Sequence, residues 1–153
     1  DGPSMLVLTR QGVPNVRQEY VQENQCAKGG YVLSEAEGGE AQVTLIATGS
    51  EVGIALEAQE KLDAENIHAK VVSFPCTELF DKQPPGYRRE VLGNGLRVAI
   101  EAGSEYGWNR YLGDDGFFIG MKGFGASAPA GDLYKHFGIT AEQVVHAIKG
   151  SIV

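Results

Sequence analysis

Val43-Thr-Leu-Ile-Ala-Thr-Gly-Ser-Glu-Val52 is a short apolar, β-branched run, a glycine turn and the first residues of an amphipathic segment. Val43 to Ala47 suits a strand buried on both faces. Gly49 can take the backbone angles of a sharp turn, and Ser50 is placed to cap the N–H groups that follow. Beyond the turn, Val52, Ala55, Leu56 and Leu62 share one helical face, while Glu57 and Lys61 stand four apart on the other. A buried strand feeding an amphipathic helix opens a βαβ unit, so the rest of the chain is read as α/β with a mainly parallel sheet.

Downstream the pattern repeats. Ala69 to Phe74 is a second core strand stopped by Pro75, and Leu96 to Ile100 is a third, followed by Ala102-Gly103-Ser104. Between them Thr77 to Lys82 and Tyr87 to Leu92 suit helical turns broken by Pro84-Pro85. Gly107 to Leu112 suits a short helix, Phe117 to Ile119 starts a further strand, and Gly123 to Ala130 is a loop. Helices are expected at Asp132 to Phe137 and Ala141 to Ile152. Thr140 and Gln143 form a capping box for the last, with Val144, Val145, Ile148 and Ile152 facing inward.

Upstream, Gly29-Gly30 precedes Tyr31 to Leu33, a strand joined to Val43–Ala47 by the acidic, glycine-rich stretch Glu35 to Glu40. So short a link cannot make a parallel crossover, and this pair is expected to be antiparallel. The expected fold is three-layer α/β/α around a five-stranded mixed sheet with one antiparallel strand. Met5 to Leu8 also reads as a buried strand, but Gly12, Pro14 and a polar stretch to Lys28 separate it from everything else. A strand cannot bury itself, so it either returns to the sheet or closes a domain whose remainder is not in this sequence.

Composition narrows the function. The 153 residues, 42% hydrophobic and 22% charged, suffice for one domain with its own core. A formal net charge of −7 argues against a nucleic-acid or anionic-membrane surface, since both partners are polyanions. There is no apolar run of spanning length and no signal-peptide pattern at Asp1-Gly-Pro-Ser4, which points to a soluble, intracellular protein. Cys26 and Cys76 are isolated thiols without CxxC spacing, which supports neither a disulfide framework nor a zinc site.

Chemistry-bearing motifs are few. His68, His136 and His146 lie beside no serine or cysteine motif and are read as structural or solvent-facing, His146 as an ion-pair partner of Glu142. Gly49-Ser50-Glu51 and Gly103-Ser104-Glu105 each follow a core strand, where open α/β sheets bind ligands. Both, however, put a glutamate where an anion would sit, and neither is a G-x-G-x-x-G dinucleotide fingerprint. Arg10 leaves the first apolar run as either a solvated charge or a bidentate fork for phosphate. Its residue type does not choose between them.

The order of the local motifs supplies the context: Leu8-Thr-Arg-Gln11, Gly29-Gly-Tyr-Val-Leu33, Ile46-Ala-Thr-Gly-Ser-Glu-Val52, Val71-Val-Ser-Phe-Pro-Cys-Thr-Glu-Leu-Phe-Asp-Lys-Gln83, Val98-Ala-Ile-Glu-Ala-Gly-Ser104 and Gly123-Phe-Gly-Ala-Ser-Ala-Pro129. Over nearly its whole length the chain resembles the C-terminal part of transketolases. The resemblance implies residues 1–27 as the last strand and exit linker of a pyrimidine-binding domain and 28–153 as the C-terminal domain. It implies that Arg10, despite Thr9 in place of the usual serine, binds the phosphate of a sugar substrate. It further implies a full-length homodimer that uses thiamine diphosphate and a divalent cation, Mg or Ca, to pass a two-carbon ketol unit between sugar phosphates in the pentose phosphate pathway, in the cytosol or a plastid. The cofactor-binding Gly-Asp-Gly…Asn fingerprint is not completed by Gly113-Asp-Asp-Gly116, so no catalytic, cofactor or metal residue is assigned and the chain alone is expected to be inactive. Trp108, Tyr111, Phe117, Phe118 and Phe124 suit either a core or a subunit contact. The alternatives are a regulatory ligand site at Gly49-Ser50 and Gly103-Ser104, and a partner-docking module of a related thiamine-diphosphate enzyme.

Overall fold

All five residues of β2 (Val43–Ala47) are fully buried, because this strand lies in the middle of the sheet with helices over both faces. The computed structural model describes residues 2–152. After β1 (Tyr31–Ser34) and β2 come α1 (Glu51–Asp63), β3 (Ala69–Ser73), α2 (Thr77–Asp81), α3 (Pro85–Leu92) and β4 (Leu96–Ser104). The chain closes with α4 (Asn109–Leu112), β5 (Phe117–Met121), α5 (Ala130–Phe137) and α6 (Ala141–Ile152). The sheet order is β1-β3-β2-β4-β5; β3, β2, β4 and β5 run parallel, and β1 is antiparallel to β3.

Strand periodicity divides the core into two. Val43, Leu45 and Ala47 of β2 face one way, onto Val52, Ala55, Ala58 and Leu62 of α1 and Val144 and Ile148 of α6. Ile46 faces the other way with Val72, Phe74 and Ala99, onto Phe80 of α2, Val91 and Leu92 of α3 and Tyr111 of α4. On this second side Phe74 packs edge-on to Phe80 at 4.7 Å and to Tyr111 at 4.8 Å between ring centroids. The expected three-layer α/β/α architecture is thus the observed one. On the polar face of α1, Lys61 bridges Glu57 at 3.4 Å and Glu142 of α6 at 3.1 Å, tying the two helices of that layer.

Several local expectations are corrected. β1 is antiparallel, but its partner is β3 and not β2, because both edges of β2 are already taken by β3 and β4. Gln59 anchors the long return by donating to the carbonyls of Glu35 at 3.0 Å and Ala69 at 2.8 Å. Met5 to Leu8 form no strand: their side chains are 74–89% exposed, and nothing among the described residues pairs with them. Pro84-Pro85 does not merely interrupt a helix, since Pro85 is the first residue of α3, where its missing N–H costs nothing. β4 runs on irregularly to Ser104, so Gly103 and Ser104 lie inside the strand and not after it. Ser50 makes no capping hydrogen bond, and Ile152 is 46% exposed at the last turn of α6. Thr140 does cap α6, accepting the Gln143 N–H at 3.3 Å.

Candidate functional site

β2 connects outward to β3 on one side of the sheet and β4 connects to β5 on the other. The carboxyl ends of β2 and β4 therefore flank the point where strand order reverses, the usual ligand crevice of an open α/β sheet. Gly49, at φ +50°, turns the chain there from β2 into α1. Thr48 Oγ1 donates to Glu101 Oε2 across the crevice at 3.0 Å. Glu51, buried in the first turn of α1, accepts a hydrogen bond from the phenol of Tyr134 on α5. Ser50 Oγ stands 3.0 Å from that phenol oxygen and 3.3 Å from Glu51 Oε1.

Its electrostatics are acidic. Burial pushes the Glu101 carboxyl above the ordinary glutamate value, the Thr48 hydroxyl partly offsets this, and the nearby Glu51 charge adds to the rise. Burial and the bond to Glu51 likewise hold the Tyr134 phenol above its ordinary value. Two carboxyl groups at the strand ends disfavour phosphate, and the Gly49-Ser50-Glu51 turn, with Thr48, serves as a hydrogen-bonded junction between α1, β4 and α5; Ser104 and Glu105 take no part in it. Beside it lies a cavity of about 250 Å³ whose lining includes Gln11, Ala102, Met121, Leu133, Tyr134 and Phe137.

Gln11, the residue after Arg10, reaches the edge of this junction. Gln11 Nε2 donates to the Tyr134 hydroxyl at 3.4 Å, and Thr9 Oγ1 donates to Gln11 Oε1. The Arg10 side chain itself is exposed and, among the described residues, makes no ion pair. Farther along, Pro14 lies against Gly53 of α1, and the Arg17 guanidinium sits over the Tyr31 ring at 5.9 Å. Residues 11–17 are thus strapped along the domain's surface.

The histidines are engaged separately. His68 Nδ1 is 3.6 Å from Asp63 Oδ1, His136 packs edge-on to Phe137, and His146 is exposed while Glu142 pairs with Lys61 instead. Both cysteines are free thiols. Trp108 and Tyr111 are core, Phe117 and Phe118 are half-buried, and Phe124 is wholly exposed. Sequence reasoning missed Tyr134, Thr48, Glu101 and Gln11 as members of one junction. The available signal was Glu101, a carboxylate interrupting the apolar run Val98-Ala-Ile.

Among the described residues no group of three or more His, Cys, Asp or Glu could hold a metal ion. Asp114 and Asp115 are exposed in the turn between α4 and β5. No described residue is assigned to thiamine diphosphate or its divalent cation, and no helix among the described residues is long and apolar enough to cross a membrane.

Comparison with known proteins gives one consistent answer. The family model of the transketolase-like TK C-terminal domain matches residues 29–140. A transketolase of Sinorhizobium medicae is 58% identical over 144 residues, covering 94% of this chain but 21% of that protein. A transketolase of Pichia stipitis, solved in complex with sedoheptulose-7-phosphate, is 35% identical with a TM-score of 0.75, over 82% of this chain and 18% of that one. A split-gene transketolase, solved as an inactive beta4 tetramer, is 25% identical with a TM-score of 0.73, over 93% of this chain and 47% of that one. The chain therefore spans about a fifth of the curated relative's length, and its sequence, its mixed five-stranded sheet and its helical layers place it in the transketolase family.

Proposed function

We propose that residues 28–153 are the C-terminal domain of a transketolase and that residues 1–27 are the end of the preceding pyrimidine-binding domain and its exit linker. The whole enzyme, a homodimer, transfers a two-carbon ketol unit from a ketose phosphate to an aldose phosphate. Thiamine diphosphate and a divalent cation supply that chemistry when bound, through residues outside this chain. Within this chain Arg10 holds the substrate phosphate, and the rest of the domain supports the catalytic domains and the dimer contact.

The observation that carries this reading is the tether from Gln11 to Tyr134. It links the segment bearing Arg10 to the domain that matches the family model, and the Arg10 side chain is exposed. The sugar phosphate bound to the Pichia stipitis transketolase supports the substrate class. Exposed Met5 to Leu8 and the fully exposed Phe124 are apolar surface of the kind that a neighbouring domain or subunit covers. The inactivity described for the split-gene relative supports the expectation that this chain alone does not turn over sugars.

Two measurements test the reading. The purified chain, given cofactor, magnesium, a ketose phosphate and an aldose phosphate, is expected to show no ketol transfer; turnover would refute the proposal. In the full-length enzyme, Arg10→Gln is expected to raise KM for phosphorylated substrates by about 10- to 100-fold, as loss of a charge-assisted hydrogen bond predicts, and to leave non-phosphorylated substrates nearly unaffected. An unchanged KM would remove Arg10 from the site.

A further inference from the structure

On the face of the sheet covered by α2, α3 and α4, near the start of β4, a cavity of about 380 Å³ is lined by Arg88, Arg89, Arg97 and Arg110. Four guanidiniums around one cavity are unexpected in a chain of net charge −7. The one carboxylate in the lining is Asp81, and it is committed: its Oδ2 pairs with Arg110 Nη2 at 3.0 Å, and its Oδ1 accepts the Tyr111 hydroxyl at 3.1 Å. Arg97 is fixed in place by neutral groups, with Nη2 donating to the Gly93 carbonyl at 2.6 Å and Nη1 to the Tyr111 carbonyl at 3.2 Å, so its charge is held but not balanced. Arg88 Nε is buried with no hydrogen-bond partner, and such a charged donor is costly to leave unpaired. Among the described residues neither Arg88, Arg89 nor Arg97 has an acidic partner. Burial and the bond to Asp81 push the Tyr111 phenol up to about 12, so it adds no negative charge.

Like charges gathered around a preorganised cavity, with a donor left open, are satisfied by an oxyanion that accepts several planar N–H forks at once. Phe80 and Leu92 add an apolar wall to the same cavity, which suits a compact organic body attached to that anion. We propose that this arginine cavity is a binding site for a small phosphate-bearing ligand, separate from the acidic junction at the strand ends. The site rests on this chain's own residues and does not depend on the role assigned to Arg10.

The test titrates the chain with inorganic phosphate and, separately, with phenyl phosphate at constant ionic strength, following the arginine Nε–H signals by NMR. The Arg88 Nε–H signal is expected to shift saturably with a Kd of about 1 mM or tighter, a modest affinity for so small a ligand. Tighter binding of phenyl phosphate identifies an ester as the occupant, and equal binding identifies phosphate itself. Arg88→Gln is expected to weaken binding about tenfold. Arg89→Gln, at an exposed helical position that tolerates the change, weakens it less and keeps the test valid should the first variant fold poorly. A shift that is linear in concentration and equalled by chloride overturns the proposal, as does binding undiminished in both variants.

Discussion

The Tyr134 hydroxyl on α5 donates to the buried carboxylate of Glu51 at the start of α1, joining two helices that lie more than eighty residues apart in the chain. Through Gln11 the same phenol also holds the N-terminal strap. One side chain thus links the strand-end junction to the segment that carries Arg10.

Replacing Tyr134 by Phe keeps the ring and removes the donor. Glu51 is then left with Ser50 Oγ at 3.3 Å, and the expected cost is about 1–3 kcal/mol, the penalty for an under-satisfied buried group. Urea denaturation measures it. The strap also loses its anchor, so limited proteolysis within residues 5–28 is expected to quicken in the variant beyond what its global stability explains. Cleavage at the parent's rate would show that the Gln11 contact does not restrain the segment.

Glu101 makes stability pH-dependent in a definite direction. Its folded pKa is raised above the ordinary value of 4.5, chiefly by burial, so the native state binds its proton more tightly than the unfolded chain does. That contribution is fully present below the unfolded pKa and is lost as pH rises through the raised folded value. Glu101→Gln keeps an acceptor for Thr48 and cannot ionise. The variant is therefore expected to gain on the parent as pH rises from about 4 to about 7, the gain accruing between the unfolded value and the raised folded one. Denaturation midpoints across that range decide it, and parallel curves would mean that Glu101 ionises in the fold as freely as in water.

Phe74 and Phe124 separate packing from surface. Phe74 is buried against Phe80 and Tyr111, and Phe74→Ala is expected to cost about 3–5 kcal/mol through lost burial and a cavity. Phe124 is fully exposed, and Phe124→Ala is expected to stay within about 0.5 kcal/mol of the parent. If Phe124→Ala instead weakens self-association of the full-length enzyme, the residue belongs to the proposed subunit contact.

Local sequence decided the elements. Val43 to Ala47, Ala69 to Phe74 and Leu96 to Ile100 are short, mostly apolar and β-branched stretches bounded by turn residues, which reads as core strands, and the apolar spacing from Val52 to Leu62 reads as a helix packed on them. The ordered string of motifs decided the family, and with it the expectation for Arg10, whose residue type alone was ambiguous. Tertiary structure decided what depends on which distant segments meet. β1 sits beside β3 because β2 had no free edge, and that competition cannot be seen within a local window. Tyr134, Glu51, Glu101 and Gln11 form one junction, and Arg88, Arg97 and Arg110 line one cavity, because strand order and helix docking bring them together across long separations. Periodicity reports which face of an element is buried; it carries no record of which other element does the burying.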